Sequence, residues 1–290
     1  MTNQTKGLLI TTLGVLFVVP DALFVRIIDA DGLTISFWRN FLTGTFTLIG
    51  LFFIYGTKTL SKIRSTGKLG LVFAGFCGFS SILFVMAVTN TSVANVVFII
   101  ASMPIFAAIT SWFWLGERIS KRMVWTIMLV TLGLSVIAFG SGSNANAHWT
   151  GDLMALGIAS SFAVGLTAAR KAKAISMVPA IPIAYIGAAL AVLPFTSPLD
   201  IIPSQWGLVV LHGGFFILIS TTFLALGPRY IPSAEVALLI LVESVLSPLL
   251  VWFLIGEEPG NWALIGGAIV ISVLFVSNMI VLIRKTPAKS

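Results

Sequence analysis

The sequence predicts an all-α polytopic membrane protein, ten transmembrane helices built as two inverted five-helix repeats. Three observations predict it. Of 290 residues, 58% are hydrophobic and 9% charged, with mean hydropathy +1.06; a soluble domain carries roughly a quarter charged residues and could not cover its surface with so few. Ten apolar runs follow one another, each close to the ~20 residues that cross ~30 Å of hydrocarbon. A segment of the fourth run then reappears in the ninth. No run alternates as a barrel strand would.

The runs lie near 8–25, 33–55, 69–89, 93–115, 123–141, 152–169, 179–196, 206–227, 235–255 and 262–283. The first ends in "RIIDADG" instead of a small-residue cleavage site, so it reads as a retained helix. The second contains "SFWRNFL", with Arg39 inside it. The third holds the single Cys77, which makes no intrachain disulfide. The polar stretch "SGSNANAHWTG" (141–151) separates the fifth run from the sixth.

The loops set the orientation. With the N-terminus in the cytoplasm, the inner segments hold Lys6, Lys58, Lys62, Arg64, Lys68, Arg118, Lys121, Arg122, Arg170, Lys171, Lys173, Arg229, Arg284, Lys285 and Lys289. The outer segments hold only Arg26, and Arg39 lies within a span. This satisfies the positive-inside rule, places both termini in the cytoplasm, and explains the net charge of +7 as a topology signal without nucleic acid as a partner. The outer loops are read as carrying Asp29, Asp31, Asp152, Asp200, Glu257 and Glu258. The expected location is a bacterial plasma (inner) membrane, as a monomer or homodimer.

The segment "SVANVVFIIASMPIFAAITSWFWLGE" (92–117) aligns without a gap on "PSAEVALLILVESVLSPLLVWFLIGE" (232–257), at an offset of 140. Ala94 meets Ala234, Val96 meets Val236, Trp112-Phe113 meets Trp252-Phe253, and Gly116-Glu117 meets Gly256-Glu257. The next helix continues the match, Trp125 on Trp262 and Ser135-Val136 on Ser272-Val273. Residues 1–143 and 150–290 are therefore expected to be the two repeats. Five spans per half is an odd number, so the second half enters the membrane from the opposite side, a common build for secondary transporters.

On these residues the chain resembles the EamA family of the drug/metabolite transporter superfamily. The resemblance covers nearly the whole chain and is carried by "TSVANVVFIIASMPIFAAITSWFWLGERIS" (91–120), "PSAEVALLILVESVLSPLLVWFLIGEEP" (232–259) and "FWRNFLTG" (37–44). One departure is visible: the family's second motif often reads Glu-Pro, whereas here Glu243 precedes Ser244 and the proline comes later, at Pro248. The resemblance implies a secondary transporter of small organic solutes, usually an exporter. It also implies that the first four helices of each half surround a central cavity with the fifth outside it.

The charges within the spans are the candidate machinery. At ~1.5 Å per residue, Arg39 lies roughly 10 Å inside the outer boundary and Asp21 about 7 Å deep from the same face. Two readings of Arg39 stand: it snorkels to the headgroups, with Trp38 in the outer aromatic belt, or it pairs with Asp21 on the neighbouring first helix. Pro20 beside Asp21 is a helix-break candidate. Glu243 lies about 10 Å from the cytoplasmic end of its helix, too short to snorkel, and is a candidate for proton coupling or a protonated structural group. Its depth argues against a direct bridge to Arg39. His212 sits roughly 9 Å below the outer face, as a proton relay or a donor to a carbonyl. Adjacent Gly213-Gly214 permit close helix approach. Asn95, Ser102, Ser244 and Ser247 add polar groups, and Ser102 with Pro104 and Ser247 with Pro248 fall near mid-bilayer, where transporters of this build hold substrate. Pro104 and Pro248 are the other helix-break candidates.

The leading functional expectation is an exporter of amino acids or related solutes, working by alternating access with protons as coupling ion. A zwitterion's carboxylate would meet Arg39 and its ammonium Asp21 or Glu243. The alternative is a broad-specificity exporter of hydrophobic cations, with aromatic contacts. A membrane-embedded enzyme is disfavoured: two histidines and no HExxH, GxSxG or cysteine cluster give no catalytic residues, metal site or cofactor site. Nothing resembles a channel filter or a Walker motif.

Overall fold

A computed structural model describes residues 3–116, 121–141, 148–172, 174–230 and 233–285. Among them the chain is helical, with no strand. Seven helices are long and apolar enough to cross a membrane: Thr5–Ile27, Gly32–Ser65, Gly67–Asn90, Val93–Leu115, Trp149–Lys171, Val178–Phe195 and Pro203–Leu226. The shorter apolar helices Val124–Gly140, Val242–Ile255 and Asn261–Ser277 fall on the other three runs. The spans are numbered first to tenth below in chain order.

Local chemistry explains where they start, stop and break. Asp31 caps the second span, its carboxylate accepting from Leu33 and Thr34 N–H at 2.9 and 3.3 Å. Ser92 caps the fourth, accepting from Asn95 N–H at 3.2 Å. The fourth and ninth spans both stop at the glycine of the repeated motif. Gly116 has φ +69° and Gly256 φ +72°. This left-handed terminus carries no Cβ penalty in glycine, which gives the recurrence of Gly-Glu a physical reason.

The first span is broken: helix runs Asn3–Val18, stops at Val19-Pro20, and restarts as Asp21–Ile27. The fourth breaks at Ala101-Ser102, and Pro104 sits in the first turn of the restarted helix Met103–Leu115, where its missing N–H costs nothing. Pro248 does not break its helix. Ser233–Ile255 runs unbroken through it, which corrects the expectation; within a packed bundle, neighbours can satisfy the carbonyl a proline leaves unbonded. The interruption in the second half lies instead in the eighth span, as a π-helical stretch His212–Ile217.

Packing follows the repeat. The first span lies along the eighth and the third along the sixth; the second packs on the seventh, the fourth on the ninth, and the fifth on the tenth. Exchanging the halves maps the first two contacts onto each other and the other three onto themselves. That is the pattern of a pseudo-two-fold axis between repeats. The fifth and tenth spans turn Trp125, Met128, Leu132, Phe139, Ile265 and Phe275 outward, as lipid-facing helices do.

Candidate functional site

Three of the charged or titratable candidates meet at one point. Arg39, 5% exposed, grips Asp21, 1% exposed, with two donors: Nε to Oδ1 at 2.9 Å and Nη2 to Oδ2 at 2.5 Å. His212, 1% exposed, places Nε2 at 2.7 Å from Asp21 Oδ1. The pairing reading of Arg39 is the observed one, and snorkelling is not. Trp38 is only half-buried and donates its indole N–H to the Pro198 carbonyl at 2.8 Å.

The elements put them there. The break at Pro20 opens a new helix with Asp21 in its first turn, where a carboxylate suits the helix dipole. Arg39 comes from the second span. His212 begins the π-helical stretch of the eighth, whose next residue lets the helices touch backbone to backbone: a Cβ on Gly213 would sit 2.8 Å from the Arg39 carbonyl oxygen. Thr43 Oγ1 lies 2.8 Å from the carbonyls of both Arg39 and Gly213. Residues the sequence reading missed complete the shell. Ser81, from the third span, accepts from Arg39 Nη1 at 2.5 Å and donates to Asn40 Oδ1 at 2.6 Å. Asn40 in turn donates to the Ser36 carbonyl at 2.7 Å. Phe24 stacks on the His212 ring at 5.2 Å and 11°, and Phe84 faces the Arg39 guanidinium at 5.4 Å.

The geometry fixes some proton positions. A carboxylate gripped by a guanidinium only accepts, so His212 Nε2 carries a hydrogen and donates it to Asp21. Nδ1 is then the ring atom free to gain a proton. With Asp21 ionised and His212 neutral, the cluster has no net charge, which is how two charges persist in a low-dielectric interior.

The other candidates stand apart. Glu243 is half-buried on the ninth span, makes no hydrogen bond or ion pair among the described residues, and lies within electrostatic reach of Asp21 and Arg39. Ser244 donates to the Val97 carbonyl at 3.3 Å, joining the fourth and ninth spans. Ser247 is buried, and Ser102 closes the break in the fourth span by donating to the Ile99 carbonyl at 2.6 Å. Asn95 belongs to a second cluster. It donates at 3.2 Å to Asp152, which also accepts from Thr91 Oγ1 at 2.9 Å. Asp152 is therefore no loop residue: the sixth span starts at Trp149 and buries it to 6% exposure. It borders a cavity of about 150 Å³ that is otherwise lined by apolar residues and Trp149. Glu117 lies outside the described residues.

A family model, that of the EamA-like transporter family, matches residues 5–139 and again residues 149–279. The chain belongs to the EamA-like transporter family. Its two EamA matches leave out only residues 140–148 between them, at the polar stretch that separates the fifth run from the sixth. The chain is 32% identical over 189 residues to "Uncharacterized transporter YwfM" of Bacillus subtilis (strain 168); the match covers 62% of this chain and 63% of that relative's length. A solved structure titled only "Crystal structure of protein" has the same fold, with a TM-score of 0.68 over 98% of this EamA chain and 100% of that one, at 19% identity.

Proposed function

We propose that this EamA-family chain is a secondary active transporter that exports amino acids or related small carboxylates from the cytoplasm by alternating access, in exchange for protons. The observation that supports the reading is the buried Asp21–Arg39–His212 cluster, which joins three spans of the first half to the eighth span of the second. Any rocking of one half against the other strains these contacts, so a ligand that alters them biases the two states.

The chemistry follows from the proton positions. A proton arriving at Nδ1 makes His212 an imidazolium, and its Nε2 proton then passes to Asp21 Oδ1. His212 is left neutral with the hydrogen on Nδ1. Protonated Asp21 no longer balances Arg39, whose two-donor fork then takes the carboxylate of a substrate in its place. Glu243, without an ion-pair partner among the described residues, is the group for the substrate ammonium or a second proton. The membrane is a bacterial plasma membrane, with both termini on the cytoplasmic side.

The test uses purified protein in lipid vesicles loaded with a panel of labelled amino acids, organic cations and nucleotides, with an imposed pH gradient. Gradient-dependent movement of an amino acid is the expected result. It should be lost in Arg39→Gln and, in Asp21→Asn, uncoupled from the gradient. Amino-acid transport at the normal rate in Arg39→Gln sinks the reading. Gradient-driven movement of cations alone, unchanged in that variant, replaces it with cation export.

A further inference from the structure

The lone basic residue of the outer loops and the glutamate that closes the second copy of the repeated motif meet each other. Arg26, at the end of the first span, places Nε 2.8 Å from Glu257 Oε2, just beyond the end of the ninth. Its Nη2 lies 3.3 Å from Glu257 Oε1 and donates to the Thr91 carbonyl at 2.9 Å. Glu257 Oε1 also accepts the Val93 N–H, at the start of the fourth span, at 2.8 Å. Thr91 carries the connection on to Asp152 in the sixth span. One ion pair therefore ties the ends of the first and ninth spans to the link between the third and fourth. Inward from it, Ala22, Phe24, Val25, Val93 and Val97 are packed shut. Beyond them lies Asp21.

We infer that the Arg26–Glu257 pair is a latch that closes this end of the transport path over the Asp21–Arg39–His212 cluster, and that it breaks when this end opens. Both side chains keep 24% of their surface exposed. On opening, each charge regains water instead of being stranded, so the contact is cheap to make and break, unlike the pair at Asp21. The left-handed turn at Gly256 aims Glu257 back over the fourth span. The positive-inside rule disfavours a basic residue in the outer loops, and the latch supplies the reason for Arg26. The latch rests on the alternating-access reading above, whereas the Arg26–Glu257 contact does not.

The test reads water access to a cysteine, with no substrate needed. In a Cys77→Ala background in lipid nanodiscs, Ala22→Cys places a reporter one helical turn deeper than Arg26, on the same helix face. Its labelling rate with a charged methanethiosulfonate is measured alone and with Arg26→Gln, Glu257→Gln or both. The parent should label slowly, and each single variant should raise the rate roughly tenfold, the equivalent of about 1.4 kcal/mol. The double variant should go no further than the faster single, because both remove one contact. Native Cys77, 3% exposed in a separate apolar cluster, should stay unlabelled in the same latch variants without the reporter. Ala94→Cys, another small buried position, is the reporter if Ala22→Cys does not fold. Unchanged labelling in all variants, equal acceleration at Cys77, or effects that multiply in the double variant would overturn the latch.

Discussion

At the scale of residues, the molecule depends on a fully buried ion pair in which each partner keeps the other tolerable. Removing one side leaves an uncompensated charge, so Arg39→Gln or Asp21→Asn alone should each cost about 3–5 kcal/mol. The double variant Asp21→Asn/Arg39→Gln should recover a substantial part of either loss, since no charge is orphaned. Melting temperatures of the four proteins in one detergent check this; a double variant less stable than both singles would contradict it. The Asp21–Arg39 contact was one of two readings the sequence left open, because counting residues from the lipid boundary puts the two at similar depth on consecutive helices but does not exclude snorkelling. His212 had a matching depth too, but depth says nothing about the direction a side chain points. The π-helical stretch at His212–Ile217 resets that direction, and no motif announces it. Ser81 and Asn40 were invisible for a similar reason, as ordinary polar residues whose role comes from their neighbours.

At the scale of elements, breaks and close approaches decide what the side chains can reach. A Cβ at Gly213 would lie within 3.2 Å of three Arg39 backbone atoms, which cannot swing aside as a side chain can. Gly213→Ala should therefore destabilise by about 1–3 kcal/mol, as overpacking does. It should also slow any transport the cluster supports, a difference visible in thermal melts and vesicle flux together. At Gly256 the left-handed turn argues for a loss of about 1 kcal/mol in Gly256→Ala, read in the same melts. Prolines proved to be uneven guides. Pro20 and Pro104 mark real interruptions because the helix has already stopped before each. Pro248 marks none, because its surroundings allow the helix to continue. Asp152 was assigned to a loop because a polar linker precedes it, yet the sixth span begins three residues earlier, at Trp149. Helix ends set by capping and packing escape hydropathy counting.

At the scale of the whole molecule, five spans per half and the basic segments expected on the inner side predict a topology that experiment can check directly. Single cysteines in a Cys77→Ala background at Leu199 (87% exposed), in a turn after the seventh span, and Leu60 (59% exposed), in the short helix Thr59–Ser65 that ends the second, are expected on opposite sides of the membrane. In intact cells, an impermeant maleimide should label Leu199→Cys and spare Leu60→Cys, with the reverse in inside-out vesicles. Labelling of both from one side would reject the arrangement.

The sequence by itself determined the class of the molecule, the order of its apolar helices and the internal repeat. These follow from composition, spacing and the cost of charge in hydrocarbon, which act along the chain. Only the tertiary structure decided that Asp21, Arg39 and His212 share one site, that Asn95 serves Asp152 instead, and that Arg26 closes on Glu257. Those outcomes depend on which helix faces touch and how each helix is rotated about its axis. That rotation is fixed by glycine contacts, breaks and π-helical turns acting between segments far apart in sequence.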